Sequence, residues 1–116
     1  AMRIRGSQRI STEATGSCRT SRGMQWDIAL ADLSEGGCRL EDPRGRLRLG
    51  EFVRLYIAGT GPHMAEVAWR QGDRVGIEFV RPLPARVFQL LAAADWHGAQ
   101  AAYEEDRRTM PVRRII

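Results

Sequence analysis

The chain has 116 residues, 43% of them hydrophobic, which suffices for one small core and makes a single domain the expectation. No apolar run reaches membrane-spanning length and no signal-peptide pattern is present, so the sequence reads as a soluble protein of the cytoplasm. The net charge is +4 and every one of the 18 cations is arginine: residues 1–22 carry five arginines against one acid, residues 23–94 nine against nine, and residues 95–116 four against four. A cationic head on a neutral body argues against a diffuse nucleic-acid binder, which spreads its cations over a folded face.

In chain order, Ala1-Met2 reads as a residue appended before a native start, and residues 1–10 as a flexible basic arm. Residues 11–16 remain polar, and a first strand is expected near "SCRT". "MQWDIALADLS" predicts a strand with Trp26, Ile28 and Leu30 on one face. "SEGG" is a hairpin connection to a short strand "GCRLE", and "DPRGR" is a turn. "EFVRLYIA" alternates, with Val53, Leu55 and Ile57 inward; Phe52 and Tyr56 are expected to pack beneath the helix that follows the strands. "GTGP" predicts a turn, and "HMAEVAWR" a strand with Ala65, Val67 and Trp69 in the core. "QGD" turns into "RVGIEFV". After "RPLP" the period changes from two to 3.6: "ARVFQLLAAADW" places Val87, Leu90, Leu91 and Ala94 on one helical face, starting at Pro84 and ending at Gly98. "AQAAYEEDRR" predicts a second short helix, so residues 95–116 form a helical and basic tail. Short strands at close spacing, joined by hairpin-length turns, define an all-β sandwich or small barrel with a C-terminal helix.

The two cysteines, Cys18 and Cys38, read as free, partly buried thiols, and His63 and His97 as surface or boundary residues without metal-ligand spacing. No nucleophile–base order and no phosphate-cradling glycine fingerprint stands out, so the expectation is a binding module that is not an enzyme and needs neither metal nor cofactor.

Two short constellations remain. Arg5-Gly-Ser-Gln-Arg9 sets two arginines four apart, and Asp32-Leu-Ser34-Glu-Gly36-Gly37 follows after 22 intervening residues. Each alone is weak, since turn capping by Asp32 and Ser34 and a solvated basic arm are the plain structural alternatives. In this order and spacing, with "AWRQGDRVGIEF" downstream, they resemble the RxxxR and D/NxSxxG motifs of PilZ domains over residues 5–94. The resemblance implies a six-stranded antiparallel PilZ-type β-barrel with a helix over residues 11–94, and cyclic di-GMP as ligand. It further implies relay to a protein effector in a motility, polysaccharide or pilus system. In that family the residue before the first motif arginine, here Ile4, bears on whether one ligand or a stacked pair binds. The polar run "ISTEATGSCRTSRG" after the arginines departs from the family's apolar alternation.

The chemistry fits the resemblance. An arginine fork matches guanine O6/N7 or a phosphodiester, and its plane stacks on a purine. Arg5 and Arg9 supply such forks, Asp32 is an acceptor for guanine N–H groups, and Ser34 offers a hydroxyl. Gly36 turns the hairpin; Gly37 is expected to take φ > 0 and to let a base approach the backbone. The other readings are a PilZ-like protein-interaction module without nucleotide binding, and a small β-barrel that binds nucleic acid through its basic arm, which calls for surface aromatics.

Overall fold

The computed structural model describes residues 9–109. Seven strands and two helices follow one another: β1 (Ile10–Ser11), β2 (Thr15–Thr20), β3 (Gln25–Ser34), β4 (Gly37–Glu41), β5 (Phe52–Ile57), β6 (Thr60–Gln71), β7 (Arg74–Phe79), α1 (Ala85–Ala92) and α2 (Trp96–Thr109). All pairings are antiparallel, and the order β3-β2-β5-β6-β7-β4 returns to β3, closing a six-stranded barrel. Closure removes free sheet edges. The two-residue β1 lies against β3 outside this ring, Ile10 opposite Leu33 and Ser11 opposite Asp32.

Alternation builds the core. Cys18, Ile28, Leu30, Leu33, Leu40, Val53, Leu55, Ile57, Val67, Val75 and Ile77 point inward and are buried. Each Leu, Ile or Val so buried contributes about 1.5–3 kcal/mol. Helix α1 adds Val87, Phe88 and Leu91 to this core, and Leu90 is only half-buried.

Several expectations need correction. The β5–β6 turn is Ala58-Gly59, both at positive φ, so Thr60 to Pro62 of "GTGP" belong to the strand. Gly98 does not end the first helix. That helix stops at Ala92, where Ala94 (φ 59°) takes the left-handed conformation and Asp95 N–H donates back to the Leu90 carbonyl at 2.9 Å. Gly98 instead lies in the first turn of α2, where its N–H donates to Asp95 Oδ1 at 2.8 Å. Phe52 is 51% exposed on the outer barrel face and is not beneath a helix, and Tyr56 is half-buried. His63 is buried: its Nε2 lies 2.8 Å from Thr60 Oγ1, and its ring packs on Phe79 and Tyr103. Burial lowers its pKa to about 4. Cys18 and Cys38 are both free and fully buried, and burial pushes the Cys18 thiol up to about 12.

Two one-residue bulges decide what the outer surface carries. Between β3 and β4 the register passes from Leu30↔Leu40 to Asp32↔Arg39, leaving Ala31 as the extra residue. Between β6 and β7 it passes from Val67↔Ile77 to Trp69↔Gly76, leaving Ala68 extra. An extra residue reverses which side chains face out. Without the first bulge, Asp32 would share the inward face of Ile28 and Leu30. Without the second, Trp69 would share that of Ala65 and Val67, as the sequence suggests; it is in fact 41% exposed.

Candidate functional site

The β3–β4 hairpin carries the second motif. Ser34 pairs with Gly37, Leu33 with Cys38 and Asp32 with Arg39. Its turn is pinned by Phe79 N–H donating to the Gly36 carbonyl and Leu83 N–H to the Glu35 carbonyl, both at 2.8 Å. Gly37 is required for a different reason from the one the sequence suggests. Its backbone is not at positive φ; a Cβ there would sit 2.1 Å from the Ile77 carbonyl oxygen, so only glycine lets β4 lie this close to β7. Ser34 is buried, and its hydroxyl donates to the Gly37 carbonyl at a long 3.4 Å.

Asp32 is the electrostatic centre of this surface. Arg39 Nε donates to Asp32 Oδ2 at 3.1 Å, and Arg9 Nη1 stands 3.7 Å from Oδ1, too far for a hydrogen bond. Among the described residues, Asp32 Oδ1 is the one buried side-chain oxygen or nitrogen without a hydrogen-bond partner. A buried carboxylate oxygen left without a donor is costly, on the order of 1–3 kcal/mol or more. Arg9, 62% exposed in its side chain, sits immediately before β1, which β3 holds alongside Asp32. The first motif's end is thereby brought to the second. Arg5 falls outside the described residues.

Sequence reasoning missed three residues on this face. Continuing the register from Asp32 across the barrel gives Arg39 on β4, Gly76 on β7 and Trp69 on β6, one row of outward positions. The Trp69 indole leans over Gly76, where a Cβ would come within 2.1 Å of Trp69 Nε1. The row therefore runs carboxylate, guanidinium, bare backbone, indole. Arg39 was within reach of the sequence: if Ser34 opposes Gly37, two residues further along Asp32 must oppose Arg39. Trp69 was not, because its outward direction depends on the Ala68 bulge. The surface is an open sheet face, whereas a cleft of about 230 Å³ lies elsewhere, against α2.

Comparison with known proteins bears on the family and the fold. The PilZ domain family model matches residues 3–94, and the chain belongs to that family. Among solved structures it is similar to YcgR of Escherichia coli in complex with c-di-GMP, at 18% identity and a TM-score of 0.54, covering 91% of this chain and 50% of that one. It is likewise similar to the PilZ domain of YcgR with c-di-GMP from the same organism, at 15% identity and a TM-score of 0.50, covering 91% and 95%. At such identities the likeness is one of fold, and the chain spans half the length of the first. No curated protein matches. Among the described residues, no helix is long and apolar enough to cross a membrane.

Proposed function

We propose that this chain is a cyclic di-GMP receptor whose site is built from Arg5 and Arg9 on the arm, Asp32, Ser34, Gly36 and Gly37 on the β3–β4 hairpin, and Arg39 and Trp69 on the adjoining row. The observation that carries this is Asp32 Oδ1, a buried acceptor without a donor, set between two arginines on an open face. A guanine edge brings N1–H and N2–H donors to such an oxygen. Arg39 already fixes the other oxygen, which orients the carboxylate. Arg9 and Arg5 are then free to grip O6/N7 or a phosphodiester in the bidentate manner of guanidinium. Gly37 presents backbone without a side chain, and the Trp69 indole, which lies over Gly76, offers a stacking face at the end of the row. Both YcgR structures named above contain c-di-GMP, which supports the reading.

Ligand binding would be relayed by the arm. Arginines held at the Asp32 face order the segment leading to β1, and an ordered arm presents a new surface to a protein effector of the motility, polysaccharide or pilus type. Calorimetric titration with cyclic di-GMP, with GTP and a single-stranded oligonucleotide as controls, tests the reading. Saturable heat with cyclic di-GMP alone is expected. Heat with the oligonucleotide and none with cyclic di-GMP would overturn it in favour of a nucleic-acid barrel; no heat with any of the three would leave a protein-interaction module. Amide exchange in residues 9–12 and 32–37 should slow at saturation, and unchanged exchange in residues 9–12 would remove the arm from the relay.

A further inference from the structure

The barrel wall across from the Asp32 hairpin carries a charge pattern of its own. In the ring β3-β2-β5-β6-β7-β4, the β5–β6 pair lies opposite the β3–β4 pair. On the outer face there, Arg19 of β2 stands directly opposite Arg54 of β5, and Glu66 of β6 directly opposite Glu78 of β7. Each is a like-charge pair across strands, an arrangement that destabilises a sheet. Across the β5–β6 seam Arg54 faces Met64 and Phe52 faces Glu66, and the Val80 N–H donates to the Met64 carbonyl at 2.8 Å. Two adjoining outward rows result: Arg19, Arg54, Met64 and Val80 in one, Phe52, Glu66 and Glu78 in the other. The β2–β5 half is positive and the β6–β7 half negative, and the apolar members between and beside them are exposed: Phe52 51%, Met64 44%, Val80 58%.

Among the described residues, none of these four charges forms an ion pair, although Arg54 is diagonal to Glu66 and Asp27 of β3 is diagonal to Arg19. The neighbouring charges are paired or lie off the two rows. Arg22 and the Arg48 N–H hold Glu51 beside Phe52, and Arg39 holds Asp32 beyond Glu78. Arg81, Asp106 and Arg107 gather past Val80, around the cleft against α2.

We infer that this wall is a contact surface for a second copy of the chain. A patch positive on β2 and β5 and negative on β6 and β7 is complementary to itself. A two-fold axis running along the strands between β5 and β6 lays β5 of one copy over β6 of the other, and β2 over β7. Arg54 and Arg19 of each copy then reach Glu66 and Glu78 of the other, with Phe52 and Met64 packed at the centre. Association relieves both like-charge pairs at once and covers the apolar side chains. Four strands give a patch roughly 15 Å across, small beside the ~800 Å² that each partner of a standard interface buries. The dimer is therefore weak, populated at high micromolar concentration. The Asp32 hairpin stays on the far side of each copy, so the inference stands independently of nucleotide binding.

Sedimentation equilibrium of the full chain without nucleotide, over a hundredfold range of concentration up to the millimolar, tests it. The parent is expected to pass from monomer to dimer. Arg19→Glu with Arg54→Glu makes the whole patch negative, and Glu66→Arg with Glu78→Arg makes it positive; each variant alone should stay monomeric, and an equimolar mixture should dimerise. Each reversal exchanges one like-charge pair for another on the outer face, so urea midpoints close to the parent's report that the variants are folded. Met64→Asp, which leaves all four charges in place, should also abolish the dimer. A parent that stays monomeric throughout would overturn the inference. So would a dimer that survives either double reversal or Met64→Asp, or a mixture of the two reversed variants that stays monomeric.

Discussion

Two buried aspartates, one at each end of the barrel wall, answer the same electrostatic problem differently. Asp42, 3% exposed in its side chain, is fully satisfied: Oδ1 accepts from Arg46 N–H at 3.0 Å, and Oδ2 from Leu47 N–H and Arg70 Nη1, both at 2.8 Å. Arg70 also donates to the Asp42 carbonyl at 2.9 Å, so one arginine locks the loop from Asp42 to Leu47 against β6. Asp32, at 11%, has one oxygen hydrogen-bonded to Arg39 and the other without a hydrogen-bond donor, Arg9 standing 3.7 Å from it. The first arrangement is complete without a visitor. The second is a half-made network, and half-satisfied buried networks are expensive to keep. The difference separates a carboxylate whose donors all come from the fold from one with an acceptor oxygen the fold leaves over.

The comparison breaks most visibly under substitution to alanine. Asp42→Ala removes three hydrogen bonds and leaves the Arg70 guanidinium without its counter-charge, for which the expected loss is about 3–5 kcal/mol, read as a lower urea midpoint. Asp32→Ala should change the midpoint far less, because its network is incomplete. Acid sharpens the contrast. Burial pushes the Asp42 carboxyl up, but the Leu47 and Arg46 N–H donors and Arg70 outweigh it, and the net pKa falls below 3.8. A depressed native pKa contributes stability that is fully present above the unfolded value and is lost as pH falls through the native one. The stability gap between the parent and Asp42→Ala should therefore be constant above about pH 4 and close below it.

Binding should rank the residues in the opposite order. Arg9→Ala or Arg5→Ala is expected to cost about 1.5–3 kcal/mol of cyclic di-GMP affinity, one to two decades, at nearly unchanged stability. Asp32→Asn retains an acceptor and should bind weakly, while Asp32→Ala should lose much more. Equal affinities for those two variants would reduce Asp32 to a turn element. An Arg5, Arg9 double alanine variant that binds like the parent would remove the arm from the site.

How far all this was legible in the sequence depends on what each feature needs. Barrel strands were readable because alternation of Val53, Leu55 and Ile57 or of Val75 and Ile77 is local. The helix ends were less so: Ala94 adopts a left-handed backbone that glycine would normally advertise, and Gly98 drew attention to the wrong position. His63 looked peripheral because its burial depends on Tyr103, forty residues away in α2. Asp32 and Ser34 stood out through motif spacing alone. Why they face outward did not, since plain alternation from Ile28 and Leu30 turns Asp32 into the core. The Ala31 bulge reverses that, as the Ala68 bulge does for Trp69, and nothing in an alanine announces a bulge.

His63 supplies a smaller effect, in the fold half of the comparison. Burial holds its pKa at about 4, so the unfolded chain takes up a proton near pH 6.5 that the native chain refuses. Stability should fall as pH drops through 6.5 and level off below about 4, with a loss of about 2 kcal/mol between pH 7 and pH 5. His63→Gln keeps a side-chain donor and acceptor within reach of Thr60 and does not titrate. Its stability should be flatter over that interval, measured by urea midpoints at the two pH values. Parallel curves for parent and variant would mean that the imidazole is protonated in the native state.

The smallest expected effect tests whether the site extends beyond its motifs. Trp69 is exposed and lies across Gly76, in the same row as Arg39 and two strands from it. If a guanine stacks on it, Trp69→Ala should cost about 1–3 kcal/mol of affinity while Trp69→Phe keeps most of it, because a smaller aromatic still offers a face. Gly76→Ala attacks the same contact from beneath. Its Cβ would stand 2.1 Å from Trp69 Nε1, so the indole must swing off the row while the barrel, whose core lies on the other side of the sheet, stays closed. Affinity should fall by about 1 kcal/mol, and the Trp69 emission maximum should move even without ligand. Fluorescence resolves the remaining ambiguity: a moved indole with unchanged affinity would confine the site to Asp32, Arg39 and the arm.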